Sequence, residues 1–258
     1  MADTAEVPAT VVCARCGSPD CLGCSPVEEN TQPSGVIAII PWERPGGSPW
    51  ARLWSTSLAC TQRPESFFGP MPNGELSPAF AYSVTCELLA ISSVAVALLL
   101  AVFAVAPGWS FLVMRDEHLR SLVLRLVLLG IPAFAGLLVV LHVLYGWAVD
   151  RGAVRAGGKP HRAHALRFGM YACGLDLMTS PIGVLYVLLS RGIGPTIDLL
   201  PAAFNVPSTA LRALLRRVYH LSDDLASRAR RFSTIVIAVA SLTMVTAVMV
   251  LLVASLFV

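Results

Sequence analysis

The sequence predicts an all-α integral membrane protein with about five transmembrane helices and a small cysteine-rich zinc module at its N-terminus. Of its 258 residues, 55% are hydrophobic and only 14% are charged, against about 25% charged in soluble domains. The hydrophobic residues are gathered into long runs that carry no charge. Two closely spaced C-x₂-C motifs stand before residue 25 and predict the module.

Three runs are long enough to cross a bilayer. No charged residue occurs in 88–106, 126–149 or 233–258, and a hydrocarbon core about 30 Å thick needs roughly 20 apolar helical residues. The runs lack the period-two alternation of β-barrel strands. They predict spans over about 79–106, 121–149 and 232–258.

The stretch from 163 to 203 is apolar but broken by prolines and charges. Lys and Arg cluster on both sides of it, in 151–162 and in 212–231. Because cytoplasmic loops carry the excess of Lys and Arg, both clusters are expected inside. The chain between them must then cross an even number of times. A helical hairpin, with spans 163–180 and 182–203, satisfies this condition, and so does a re-entrant loop. Either form leaves the N-terminus cytoplasmic and the C-terminus outside.

Two further segments are predicted to lie beside the spans. Residues 49–62 should form a helix, with Ser48 as N-cap and Pro49 at its first position. This helix rests on the membrane surface or packs on the spans, and a flexible linker, 27–48, precedes it. Residues 208–231 form a basic amphipathic segment, which either contacts anionic headgroups or is a solvated helix whose arginines fix topology.

The N-terminal module, residues 1–26, carries four cysteines in two pairs. Cys13 and Cys16 form one pair, and Cys21 and Cys24 form the other. Four such sulfurs suit one tetrahedral Zn²⁺, and a cytoplasmic location favours metal over disulfides. The sequence therefore predicts structural zinc. A pair of disulfides, four free thiols, or an iron–sulfur site with a distant fourth ligand are the alternatives.

Residues 50–258 resemble the Yip-domain family of membrane proteins through the order of several short motifs. These are Arg63-Pro64-Glu65-Ser66-Phe67-Phe68, Leu141-His142, Gly157-Gly158-Lys159, Leu166-Arg167 before Tyr171-Ala172, and Pro181-Ile182-Gly183. The cysteine module is similar to a truncated B-box-type finger. The resemblance implies a membrane domain of about five spans, residues 49–258, that acts as a non-enzymatic scaffold or organiser. The chain departs from the family pattern between His142 and Gly157, which is longer, and over 192–231.

Ionisable residues within apolar segments are candidates for function. His142 lies deep in the second predicted span, and Asp176, Arg191 and Asp198 could meet if 163–203 is a hairpin. These four form the predicted intramembrane polar cluster. Glu87 lies near a span end and is expected to reach toward the interface, whereas Cys86 and Cys173 are expected to be small buried apolar side chains.

The sequence contains none of the nucleotide-binding or hydrolase motifs that would indicate an enzyme. A net charge of +3 gives no reason to expect nucleic acid as a partner. The expected partners are the lipid bilayer and other membrane or cytosolic proteins. The leading hypothesis is a membrane scaffold with a cytosolic zinc-binding interaction module. The alternative is a small transporter or channel that uses the broken helices of 163–203 as its substrate path.

Overall fold

The computed structural model describes residues 40–255, and within this range the fold is helical with no β-strand. The predicted zinc ligands Cys13, Cys16, Cys21 and Cys24 and most of the predicted linker lie outside the described residues. A 3₁₀ turn at Pro41–Glu43 precedes ten α-helices. These are α1 Pro49–Gln62, α2 Pro64–Phe68, α3 Leu76–Val105, α4 Pro107–Arg115, α5 Glu117–Arg155, α6 Arg162–Thr179, α7 Pro181–Arg191, α8 Ile193–Ile197, α9 Leu199–Arg217 and α10 Asp223–Ser255.

Three of the described helices, α3, α5 and α10, are long and apolar enough to cross a membrane. Their outer faces expose large aliphatic side chains, among them Leu98, Leu128 and Leu242, each more than 60% exposed. Soluble proteins do not expose such continuous apolar surfaces, so these faces suit contact with lipid. The prediction of a helical protein with long apolar spans is therefore confirmed for the described residues.

The broken stretch forms two helices, α6 and α7, which are bent by 71° at Ser180. Together they are long and apolar enough to cross a membrane, so up to four spans can be counted. Pro181 occupies the first position of α7, and the Ser180 hydroxyl accepts a hydrogen bond from the Gly183 amide at 3.5 Å. The bend follows because Pro181 has no N–H to continue the bonding of α6.

Helix α6 lies at the centre of the fold. Eleven of its 18 residues are buried, and it packs against α1, α3 and α5. Most of its side chains therefore contact protein rather than the surroundings, in contrast to those of α3, α5 and α10.

The contact between α5 and α6 depends on two glycines. A Cβ on Gly169 would lie 2.2 Å from the carbonyl oxygen of His142, and one on Gly146 would lie 2.3 Å from that of Ala165. Both distances are far below van der Waals contact, and the atoms that would be met belong to the backbone. Small residues at membrane helix interfaces let backbones approach in this way. Only glycine at these two positions permits the observed separation.

Helix α1 packs against the protein. Leu53 and Trp54 are buried, and the Trp54 ring stacks on that of Tyr186 in α7 with centroids 4.1 Å apart. The hydroxyls of Ser57 and Tyr82 lie 2.7 Å apart, which links α1 to α3. Trp50, at the start of the helix, is half exposed. Helix α1 is therefore packed on the neighbouring helices through the face that carries Leu53 and Trp54.

A buried ion pair ties the start of the described chain to α6. Arg167 is fully buried, and its Nη2 lies 2.8 Å from Glu43 Oε1. Its Nη1 donates to the Glu75 carbonyl at 2.5 Å, and the Tyr171 hydroxyl donates to Glu43 at 2.5 Å. The segment before α1 and the start of α3 are thus both fastened to α6.

The C-terminal end of α5 meets the start of α10. The guanidinium of Arg155 lies 4.2 Å from the ring centroid of Phe232, and the Tyr219 hydroxyl donates to Asp150 at 2.8 Å. Burial, and then the hydrogen bond to Asp150, raise the pKa of Tyr219 well above its ordinary value. Tyr219 therefore stays protonated and remains a donor across the accessible pH range.

We expect Gly169→Ala to destabilise the protein by about 1–3 kcal/mol, because its methyl group would force α5 and α6 apart. The matched control is Gly130→Ala in α5, where an added Cβ would meet nothing within 4 Å. That change should be neutral or stabilise by up to about 1 kcal/mol, since alanine is the better helix former. Detergent unfolding followed by circular dichroism would measure both. Equal stability of the two variants would contradict the close crossing of α5 and α6.

Candidate functional site

Four polar side chains from three helices meet beside the α5–α6 crossing. They are Glu87 of α3, His142 of α5, and Cys173 and Asp176 of α6. His142 Nε2 lies 3.2 Å from Glu87 Oε1 and 2.7 Å from Asp176 Oδ2. We call these four residues the polar cluster. It shares only His142 and Asp176 with the set of four that the sequence predicted.

Glu87 is a fully buried member of the polar cluster that lacks hydrogen-bond partners within the described part of the chain. Its side chain is 0% exposed, although the sequence suggested that it would reach toward the interface. Neither of its carboxylate oxygens has a hydrogen-bond partner of acceptable geometry among the described residues. A buried carboxylate without such partners is costly, because it has lost its hydration and gained little in return.

His142 faces two carboxylates through one ring nitrogen. A single Nε2–H can donate well to only one acceptor, and the shorter contact is with Asp176. Asp176 is 43% exposed on its side chain, so it is less enclosed by protein than Glu87. Glu87 is therefore the carboxylate left without a good donor.

Cys173 is the sulfur member of the polar cluster and is fully buried. Its Sγ, one ring nitrogen of His142 and one carboxylate oxygen of Glu87 all lie within 4.8 Å of one another. The sequence suggested a small apolar role for this cysteine. Its position one turn after Gly169 turns it toward His142 instead, because residues four apart share a helix face.

The helix crossing explains why these residues meet. His142 lies one turn before Gly146, and its own carbonyl is the atom closest to Gly169. Asp176 follows Cys173 by three residues and so lies on the same face of α6. The close approach of α5 and α6 brings the imidazole to the two side chains of α6, and α3 supplies Glu87 from the third side.

The structure brings together His142 and Asp176 of the four residues that the sequence grouped, and separates Arg191 and Asp198 from them. Arg191 is exposed and donates to the Gln62 side chain at 2.6 Å. Asp198 is exposed at the N-terminus of α9. The grouping assumed a helix returning over 182–203. The chain instead turns at Gly192, whose φ is +86°, so these two side chains do not return to His142.

A cavity of about 140 Å³ lies beside the polar cluster. His142 and Asp176 contribute to its wall, together with aromatic and aliphatic side chains that include Tyr145, Phe168 and Val206. This volume holds a few water molecules or a small ion with part of its hydration shell. The half-exposed Asp176 therefore has a local space into which its carboxylate can move.

No known protein family, curated protein or solved structure matches this chain. The polar cluster has therefore to be interpreted from its own geometry and chemistry.

We expect His142→Ala to destabilise the protein by about 1–3 kcal/mol, because it removes the nitrogen that lies 3.2 Å from the buried Glu87 and 2.7 Å from Asp176. Asp176→Ala should cost only about 0–1 kcal/mol, since the Asp176 side chain is half exposed rather than enclosed. His118→Ala, at an exposed histidine of α5, is the control and should stay within about 0.5 kcal/mol of the parent. Unfolding in mixed micelles would measure all three. A larger loss of stability for Asp176→Ala than for His142→Ala would contradict the conclusion that Glu87, and not Asp176, is the enclosed carboxylate beside His142.

Proposed function

We propose that the protein is a multi-pass membrane scaffold, similar to Yip-domain proteins, that presents a zinc-binding interaction module to the cytosol. The observation that carries this proposal is that both basic segments of the chain meet at one end of the helices. One of them follows α5 and the other connects α9 to α10. Together they make that end a strongly basic surface suited to anionic headgroups and acidic partner surfaces.

The contacts at this end are specific. Arg155 stacks on Phe232, and Tyr219 bonds to Asp150. The ring of His161 packs against that of Tyr219, with centroids 5.4 Å apart. The exposed cations of this end are Arg151, Arg155, Lys159, Arg162, Arg212, Arg216, Arg217, Arg228, Arg230 and Arg231.

This arrangement supports a cytoplasmic N-terminus and an external C-terminus. Because the cytoplasmic loops of membrane proteins carry an excess of Lys and Arg, we assign the basic end of the helices to the cytoplasmic side. The described chain enters at the same end, since Glu43 pairs with Arg167 near the start of α6. Helix α3 then runs outward, α5 returns and α10 runs outward again, which leaves the C-terminus outside.

The same contacts support an odd number of spans. Three spans or five keep both basic segments on one side, whereas four would separate them. The five-span form needs α6–α7 to cross and α8–α9 to return. The re-entrant form returns the chain to the side from which α6 enters, and the burial of α6 together with the 71° bend supports it. We propose three full spans, α3, α5 and α10, with α6–α7 as a re-entrant pair.

The zinc module adds an interaction surface to the scaffold. Cys13, Cys16, Cys21 and Cys24 bind one structural Zn²⁺ in this proposal, and the linker 27–48 joins the module to α1. About 10–16 kcal/mol from zinc would offset the ordering of a segment that has few apolar side chains. The module then offers a rigid surface for a cytosolic protein.

A transporter or channel is the second candidate, and a different observation favours it. The polar cluster lies near the bend of α6–α7 and lines a cavity, as expected where broken helices bind a substrate or coupling ion. In this alternative His142 is a residue of the transport path.

Purification of the tagged full chain in mild detergent would test the scaffold. We expect a cytosolic or membrane protein to co-purify in stoichiometric amount, and we expect to lose it when Cys13, Cys16, Cys21 and Cys24 are all changed to Ser. Membrane insertion of that variant should be unchanged, because the spans do not depend on the module.

Two outcomes would contradict the scaffold. One is the same set of partners with the quadruple variant, which would remove the module from the contact. The other is the absence of partners together with solute flux in proteoliposomes that His142→Ala abolishes, which would favour the transporter.

A further inference from the structure

We propose that Glu87, His142 and Cys173 bind a divalent transition-metal ion of the Zn²⁺ and Co²⁺ class within the membrane domain. This site would be separate from the N-terminal cysteines, and it does not depend on the scaffold function. It rests on the burial of Glu87, the spacing of the three donor atoms and their chemistry.

Glu87 is a buried carboxylate that lacks a partner. It is completely enclosed, and among the described residues it accepts no hydrogen bond. Buried charges in proteins are paired or coordinate metals, since an isolated one is strongly destabilising. His142 Nε2 is the nitrogen beside it, at 3.2 Å, but the geometry of that contact is not that of a hydrogen bond. A cation between the two side chains would give the carboxylate the partner that it lacks.

The donor atoms are spaced closely enough to share one ion. In a tetrahedral site with bonds of about 2.0–2.3 Å, two ligand atoms lie about 3.3–3.8 Å apart. The contact of 3.2 Å between Glu87 Oε1 and His142 Nε2 is close to this spacing. The sulfur of Cys173 completes a triangle whose sides are at most 4.8 Å. Small rotations of side chains would bring all three atoms to one ion.

The chemistry of the three donors selects the class of metal. Imidazole nitrogen and thiolate sulfur are ligands for Zn²⁺ and Co²⁺, whereas Mg²⁺ and Ca²⁺ require oxygen ligands. As ligands of a metal, Glu87 and Cys173 would be a carboxylate and a thiolate, whose two negative charges a divalent ion neutralises within a low-dielectric site. Binding would release the thiol proton of Cys173, so affinity should increase with pH.

Asp176 lies where a fourth ligand of the metal ion would be. Its Oδ2 lies 2.7 Å from His142 Nε2, closer than two ligands of one ion lie to each other. Because its side chain is 43% exposed and borders the cavity, it has room to withdraw. After this movement the Asp176 carboxylate would bind the metal directly, or it would hold a water molecule that binds the metal. Three protein ligands with a water molecule in the fourth position are typical of catalytic zinc sites.

The test uses the full chain in detergent or nanodiscs, with Cys13, Cys16, Cys21 and Cys24 changed to Ser to remove the N-terminal thiols. Titration with Co²⁺ should give one equivalent of tetrahedral d–d absorption and a thiolate-to-cobalt charge-transfer band, both lost on adding Zn²⁺. Cys173→Ser in this background should abolish the charge-transfer band. Glu87→Gln should weaken binding by at least about tenfold, and Asp176→Asn should weaken it by about 10- to 100-fold.

Cys60→Ser in the same background is the matched control, because Cys60 is also a buried thiol but does not belong to the trio. It should keep both absorption features. Circular dichroism and gel filtration without metal would establish that each variant is folded. The proposal is overturned if the background chain gives no charge-transfer band at about millimolar Co²⁺, or if a folded Cys173→Ser chain retains it.

Discussion

The close contact between α5 and α6 at Gly146 and Gly169 is the constraint on which the rest of the structure depends. Added Cβ atoms would lie little more than 2 Å from backbone oxygens of the opposite helix. Because the two backbones approach so closely, α6 lies inside the protein, and α1 and α3 can cover its other faces. The same contact brings His142 to Cys173 and Asp176. The interior position of α6 and the polar cluster therefore have one structural cause.

A second fixed point lies near the N-terminal end of α6, where the buried Arg167 pairs with Glu43 and bonds to the Glu75 carbonyl. An unpaired guanidinium at this depth would be strongly destabilising, so these partners are required rather than optional. They fasten the chain before α1 and the chain before α3 to one point.

The sequence predicted the three long apolar helices because their signal is local. Long uncharged runs identify α3, α5 and α10, and Pro181 marks the bend between α6 and α7. The polar cluster could not be predicted in the same way. Glu87 stands at the edge of an uncharged run, where a carboxylate ordinarily reaches water, and its burial results from packing by distant helices. Gly146 and Gly169 could have been used to predict the crossing of α5 and α6, since small residues often lie where helices cross in membranes. Arg191 and Asp198 were grouped with His142 because a straight return helix was assumed, and the turn at Gly192 removes that assumption.

The central claim is that α6 is packed inside the protein against α1, α3 and α5, whereas the apolar outer faces of α3, α5 and α10 face lipid. The most direct measurement is labelling of the full chain in vesicles with a membrane-soluble carbene precursor, followed by mass spectrometry of its peptides. We expect strong labelling of peptides that contain the exposed Leu98, Leu128 and Leu242, and little labelling of residues 162–179. Labelling of 162–179 as strong as that of the three long helices would contradict it.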